Sequence, residues 1–272
     1  MTNEEKTFAE LFSDLEWYQE AGVDLAVGEV AIDWINAAPV AKAASVTPKA
    51  LAKQTATNLD EKAKPKELET TDTEQVKKLV SSASNLAELE EILKNYDGCA
   101  LKKRAANMVF GVGSENAKIM FVGKAPSRDD DLEGQIFVGK AGALLDKMMG
   151  AIGLGRSEVY LSNILPWRPP GDRAPTLDEI NSSMPFFIRQ VELVAPDFIF
   201  MLGEEVAQII FEKKISLKKL RSNLHELKIG SQNVKAICSF RPEFLLNLPA
   251  QKRLAWQDLL LLKSAFSEDN NE

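Results

Sequence analysis

Apolar and polar positions divide the chain into a C-terminal half that reads as a folded sheet domain and an N-terminal part that reads differently. From residue 118 onward, short apolar runs alternate with longer stretches in which apolar residues recur at helical spacing. The runs are Ile119 to Val122, Val159 to Leu161 and Phe198 to Leu202. Each is too short for a buried helix and ends in glycine or polar residues, which suits buried strands of a parallel sheet. Between them, Leu144, Leu145, Met148 and Met149 mark a helix from Lys140 to Met149. Thr176-Leu-Asp-Glu is a capping box that starts a helix running to about Val194. Further helices are expected from Glu204 to Phe211 and from Gln251 to Phe266, and a strand pair from Glu226 to Ile229 and from Val234 to Cys238. Asn107 to Phe110 reads as an edge strand or turn. This alternation predicts an α/β fold, a three-layer α/β/α sandwich with a mostly parallel central sheet.

Ahead of this domain, residues 1–36 form a helical N-terminal extension. Phe8, Leu11, Phe12, Leu15, Trp17 and Tyr18 recur at helix spacing, and Gly22 marks a break. Residues 37–72 are rich in Ala, Lys, Thr, Pro and Gln and read as a flexible linker. Asp72-Thr73-Glu74 then starts a helix to Ser82, and Asn85 caps a second one to Tyr96. The expected organisation is thus 1–36, 37–72 and an α/β/α domain over 73–272.

Length and composition narrow the class. A chain of 272 residues supplies one sizeable core with an appendage. No apolar run is long enough for a bilayer, so no membrane partner is expected, and the polar, acidic start predicts no signal peptide. Cys99 and Cys238 do not make a disulfide framework, and His225 alone cannot build a histidine metal site. A reducing, cytoplasmic setting follows. Net charge is −7, but residues 1–98 hold 19 of the 40 acidic and only 10 of the 33 basic side chains. The remainder is near neutral and free to present a basic groove.

Candidate chemistry concentrates between Lys118 and Asp146. Gly123 breaks the first apolar run where a sheet meets its crevice. A polar stretch follows with Pro126, Asp129, Asp130, Asp131 and Gly134, then Phe137-Val138-Gly139 opens the next helix. Strand, polar loop, aromatic and helix is the plan of a small-molecule or nucleobase site at the carboxyl edge of a sheet. Plainer readings stand beside it: a solvated turn for the aspartates and a core position for Phe137. Gly111 to Lys118 is no phosphate loop, because it lacks the required spacing and precedes the strand.

The stretch resembles the bacterial family-four uracil-DNA glycosylases, whose first motif runs close to G-E-A-P-G-x-x-E-D-x-x-G-x-P-F-V-G-x-A-G. Here it is Gly123-Lys124-Ala125-Pro126-Ser127, Asp129-Asp130-Asp131, Gly134, Phe137-Val138-Gly139 and Ala141-Gly142. The resemblance continues through Val159 to Thr176, Pro185 to Gly203 and Ser239 to Leu259, and covers Cys99 to the C-terminus. It places Gly123, Lys124 and Ala125 in the base-binding turn. Asp130 falls where the family has its water-orienting carboxylate, one methylene shorter than the usual Glu. Phe137 matches the aromatic that stacks on the flipped base. Asn163 ends a strand, and its amide can donate to O4 and accept from N3–H of uracil; an Asn there also serves as a turn former. Arg241 stands in place of a His that donates to uracil O2. Leu245 is the implied wedge that fills the gap left by the flipped base, with plain core as its other reading. Arg168, Arg173, Lys252 and Arg253 are candidates for phosphate contacts.

The family usually holds a four-iron cluster on four cysteines. Only Cys99 is present; Tyr96, Trp167 and Met184 occupy the other positions, so no iron–sulfur cluster, metal or other cofactor is expected. The resemblance implies a monomeric, monofunctional hydrolase of bacterial cytoplasm. It would release uracil from single- or double-stranded DNA and so initiate base excision repair. The alternative is a catalytically impaired relative that binds uracil-containing, abasic or single-stranded DNA without cleaving. A nucleoside hydrolase on the same fold is a third reading.

Overall fold

The computed structural model describes residues 70–269. The extension expected over 1–36 and nearly all of the linker lie outside the described residues. Helix α1 (Thr70–Ser81) begins two residues earlier than its sequence signal. Helix α2 (Leu86–Asn95) is capped as expected, with the Asn85 side chain accepting from the Glu88 N–H at 2.8 Å.

Six strands form one sheet. They are β1 (Val112–Gly113), β2 (Ile119–Gly123), β3 (Tyr160–Asn163), β4 (Phe198–Leu202), β5 (His225–Ile229) and β6 (Gln232–Ser239). Their order is β1-β3-β2-β4-β6-β5. The inner four are parallel, and the two edge strands run antiparallel to their neighbours. The edge strand β1 lies just beyond the expected Asn107–Phe110. Those residues instead lead into it, tied down by the Val109 N–H to the Pro166 carbonyl at 2.8 Å.

Strand residues alternate between two apolar layers, as the two-residue period of a pleated strand dictates. Met120, Val122, Ile199, Met201, Ala236 and Cys238 enter one layer; Ile119, Phe121, Phe198, Phe200 and Ile237 enter the other. The first layer is closed by α1, α2, α5 (Leu177–Val194), α6 (Glu204–Ile210) and α7 (Leu217–Leu220). The second is closed by α4 (Gly139–Ala151), α8 (Pro242–Asn247) and α9 (Lys252–Asp269). Strands buried on both faces must be apolar throughout, and β2 and β4 are buried at every position. Each fully buried Phe, Met or Ile contributes about 1.5–3 kcal/mol. The expected three-layer sandwich is the observed one.

One expectation over 124–135 needs correction. Arg128–Glu133, read as loop, is a short helix, α3. Ser127 caps it, accepting from the Asp130 N–H at 3.2 Å, while the Asp130 carboxylate accepts from the Ser127 N–H at 2.8 Å. This reciprocal pair is a capping box, and it turns the aspartate-rich stretch into a helical turn.

The chain after β2 leaves toward α4 on one face, and the chain after β3 leaves toward α5 on the other. The carboxyl ends of these neighbouring strands therefore part, and a crevice opens between them, the place where open α/β sheets take ligands.

Candidate active site

A cavity of about 260 Å³ occupies that crevice. It lies just below the roughly 300–1,000 Å³ of sites for drug-sized ligands, which suits a single flat ring. Gly123, Lys124, Ala125, Phe137, Asn163 and Arg241 all line it. The chain brings them from the ends of β2, β3 and β6 and from the loop before α4.

Asn163 sits at the last position of β3, directly across the ladder from Gly123 at the end of β2. It is 7 % exposed, and both its Nδ2 and its Oδ1 are buried without a hydrogen-bond partner. Leaving a buried polar group unpaired costs about 1–3 kcal/mol, so an amide with two idle ends marks a place prepared for a ligand that offers both an acceptor and a donor. The strand end that carries it is fixed from behind by the Ser162 hydroxyl, which donates to Gln190 Oε1 at 2.5 Å. Gly123 is required by contact: a Cβ there would run into Asn163 Oδ1 and would come within 3.0 Å of Phe137 Cζ.

Phe137 is 6 % exposed and holds a positive φ of 51°, a costly conformation for a bulky residue that persists only when its surroundings impose it. Two polar clamps do so. The Arg156 guanidinium donates to the carbonyls of Ile136 and Phe137 at 3.2 and 2.5 Å and is itself held by Asp146 at 2.6 Å. On the other side, Asp130 Oδ1 accepts from the Val138 N–H at 2.8 Å. Gly142 completes the fit, since a Cβ there would collide with the Phe137 carbonyl.

Asp130 therefore does not stand where the motif placed it. It is 3 % exposed, both its oxygens accept from backbone N–H groups, and it is not among the cavity's lining residues. The shorter side chain stays within its own capping box and holds the Phe137 loop. The carboxylates that do line the cavity are Asp172 and Glu243.

The Uracil DNA glycosylase superfamily model matches residues 110–260, a span that contains every strand and every residue of this cavity. The type-4 uracil-DNA glycosylase of Archaeoglobus fulgidus is 40 % identical over 155 residues, covering 56 % of this chain and 78 % of that one. That of Saccharolobus solfataricus is 33 % identical over 189 residues, covering 67 % and 87 %. That of Thermotoga maritima is 32 % identical over 184 residues, covering 66 % and 94 %.

The chain belongs to the uracil DNA glycosylase superfamily.

Within the superfamily site, the two cations that depart from the family motif prove to share one carboxylate. Glu205, in the first turn of α6, meets Lys124 Nζ at 2.7 Å and lies 3.8 Å from Arg241 Nη1. Lys124, Arg241 and Glu205 together thus carry one net positive charge. Both line the cavity, and Arg241, about half exposed, is the more loosely held of the two. Nothing in the sequence motifs singled out Glu205; its position just past the carboxyl end of β4 was the available signal.

The proline-rich segment before α5 forms one wall. Arg168 pairs with Asp172 at 2.6 Å, and Arg173 grips Glu179 through two bonds of 2.8 and 2.6 Å. Arg173 and Asp172 line the cavity. The Arg173 guanidinium holds the Glu179 carboxyl below the usual range, and the Arg168 guanidinium does the same for Asp172. Lys252 and Arg253 are exposed at the start of α9, but neither lines the cavity.

Leu245 requires a second correction. It is 1 % exposed and packs in the layer beneath α8 and α9, so its side chain does not reach out to a duplex. The apolar side chains exposed on this segment are Leu246 and Leu248, 37 % and 50 % exposed. The segment is anchored by a buried ion pair. Arg221 donates to both oxygens of Asp258 at 2.8 and 2.9 Å, and the Ser239 hydroxyl donates to Asp258 at 2.7 Å, two residues before Arg241.

The four-cysteine cluster implied by the family-four resemblance does not fit the residues present. Cys99 is 1 % exposed and shares one apolar cluster with Trp167, Tyr96 and Met184, and Tyr96 packs on Phe186 with ring centroids 5.0 Å apart. A cluster needs thiolates, and the side chains at the other three positions offer none. Among the described residues no group of three or more His, Cys, Asp or Glu side chains is arranged to hold a metal ion, and no helix is long and apolar enough to cross a membrane.

Proposed function

We propose that this chain is a uracil-DNA glycosylase that hydrolyses the N-glycosidic bond of uracil in DNA and so opens base excision repair. The observation that carries this reading is the buried, unpartnered Asn163 amide, set beside Phe137 and Arg241 in a cavity the size of one flat ring. Uracil presents O4 as an acceptor and N3–H as a donor. Asn163 Nδ2 donates to the first and Oδ1 accepts from the second, whereas cytosine offers the reverse pattern and fits only if the amide turns over. Phe137 stacks on the base that has left the helix. As the bond from C1′ to N1 breaks, its electron pair moves onto the uracil, and charge builds on O2. Arg241 meets that charge with a fixed cation. Water adds to the electron-poor C1′ and loses a proton to solvent, the uracil anion takes one up from solvent, and the products are free uracil and an abasic site. The cavity carboxylates Asp172 and Glu243 oppose the positive sugar. Arg168, Arg173, Lys252 and Arg253 contribute to holding the phosphate backbone.

The enzyme works as a monomer in the cytoplasm and without an iron–sulfur cluster, a reading supported by the side chains at three of the four ligand positions, Tyr96, Trp167 and Met184, which offer no thiolate.

Binding without cleavage is the competing reading, and one observation favours it: both oxygens of Asp130 are committed to backbone N–H groups. The two readings part in a single assay. The full-length protein is incubated with labelled single- and double-stranded oligonucleotides carrying one uracil. Alkali-labile product at the uracil supports the glycosylase; retention of the oligonucleotide with no product supports the binding protein.

A further inference from the structure

We infer that a second cavity beside the base site is a subsite for the nucleobase next to the uracil on the same strand, an inference that rests on the glycosylase reading above. This cavity measures about 270 Å³, almost the same as the first, and the two share Arg241 as a common wall. One side chain thus separates two ring-sized spaces, as consecutive bases splayed from one backbone require.

The lining of the second cavity is aromatic. Phe240 and Phe244 stack with centroids 5.1 Å apart and planes 11° from parallel. Both residues are half-buried, and Phe244 is the outer member on which a further ring would stack, because Phe240 already meets Phe244 and Arg221. The Arg221 guanidinium also lies over Phe240, 4.7 Å from its centroid, and Arg221 is fixed by its two bonds to Asp258. The stack is therefore anchored at the protein side before any ligand arrives. Buried Leu217 adds an apolar surface. A base gains stacking energy on such a platform whatever its identity, because every base has a π-face.

Charge selects a base over a phosphate. Glu204 and Glu205 line the space. Glu204 is occupied, accepting from the Leu217 N–H at 2.8 Å and from Gln208 at 3.1 Å. Glu205 bonds Lys124 and approaches Arg241 through Oε2, which leaves Oε1 for the N–H edge of a neutral ring. Two carboxylates repel an anion, so the sugar-phosphate chain passes outside, over Arg241. Occupying both cavities takes two consecutive bases out of a duplex, a cost that single-stranded DNA does not carry.

The test uses the full-length protein and single-stranded oligonucleotides with one uracil, in which the base of the 5′ or of the 3′ neighbour is replaced in turn by a tetrahydrofuran abasic analogue. Removal of one of the two neighbouring bases should lower kcat/KM about 10-fold, in line with the ~1–3 kcal/mol of a stacked base. Phe244→Ala should lower kcat/KM on the intact strand by a similar factor and abolish the penalty for the missing base, while Phe244→Trp should keep both rate and penalty. Uracil release that is indifferent to both neighbours in the unmodified protein overturns the subsite and leaves the glycosylase reading standing; so does an equal penalty in Phe244→Ala. If no strand releases uracil, the glycosylase reading falls. Fluorescence anisotropy with the same strands then decides the subsite, equal affinity for intact and flank-abasic strands removing it.

Discussion

Gly123 and Asn163 face each other across the β2–β3 ladder, and the volume that a side chain on residue 123 would take is already filled by the Asn163 amide oxygen. Gly123→Ala should therefore leave the fold intact while pushing Asn163 and Phe137 apart. Displacements of this size cost about 100-fold in rate, so kcat/KM on uracil-containing DNA should fall by that order with an unchanged circular dichroism spectrum. A rate within a factor of two or three of the parent would show that the amide does not need its place.

Asn163 itself should govern base choice. Asn163→Ala removes both the donor to O4 and the acceptor for N3–H, and loss of such a site-directed donor costs about 10²–10³ in rate. The residual activity should no longer distinguish uracil from cytosine. Retained discrimination, measured as release from matched uracil and cytosine oligonucleotides, would place the reading of the base elsewhere in the cavity.

The two tasks suggested for Asp130 separate in steady-state kinetics. A carboxylate that orients water in the transition state would, when changed, lower kcat at constant KM. A carboxylate that clamps the Phe137 loop should mainly raise KM and lower Tm. Asp130→Asn replaces one acceptor by a donor facing a backbone N–H. A capping residue is worth about 1 kcal/mol, so a Tm lower by a few degrees and a raised KM are expected. A drop confined to kcat would restore the water-orienting role.

Acid should loosen the proline-rich wall. The Glu179 carboxyl is held below its ordinary value of 4.5 by the Arg173 guanidinium and then by the Thr176 backbone N–H. Its folded-state value lies below its unfolded one, so its contribution is complete above pH 4.5 and is lost as pH falls through the lower, folded value. The Tm difference between the parent and Glu179→Gln should be constant from pH 7 to 5 and close at lower pH. A difference that grows on acidification would contradict the pairing.

Breaking the buried pair beneath the Arg241 segment should be severe. Asp258 is wholly buried and meets Arg221 and Ser239. Removing one member of a buried pair costs about 3–5 kcal/mol because it strands the other charge. Asp258→Asn should show this in urea denaturation, whereas the exposed Lys94–Glu90 pair should be nearly silent on mutation.

The sheet and its helices were legible because strands buried on both faces must be apolar at every position, and Ile119 to Val122 and Phe198 to Leu202 are. The convergence of Phe137, Asn163 and Arg241 was legible too, since Asn163 closes a strand, Arg241 follows one, and Phe137 opens the helix after the first apolar run. Three things were not. Ser127-x-x-Asp130 is a capping box with Asp in the place of Glu, and the run of three aspartates hid it. Leu245 is one of three leucines within four residues, and only packing decides which of them turns inward. Glu205 lies in no motif; its partners Lys124 and Arg241 come from strands distant in sequence, so their meeting exists only in three dimensions.

The base cavity is stitched from segments that begin near Gly123 and end near Arg241, with a strand order that makes the first of them a middle strand. No early part of a nascent chain, and no fragment that ends before Arg241, has the full lining of this cavity. The cavity is therefore complete only in a chain whose last inner strand, β6, has joined the sheet.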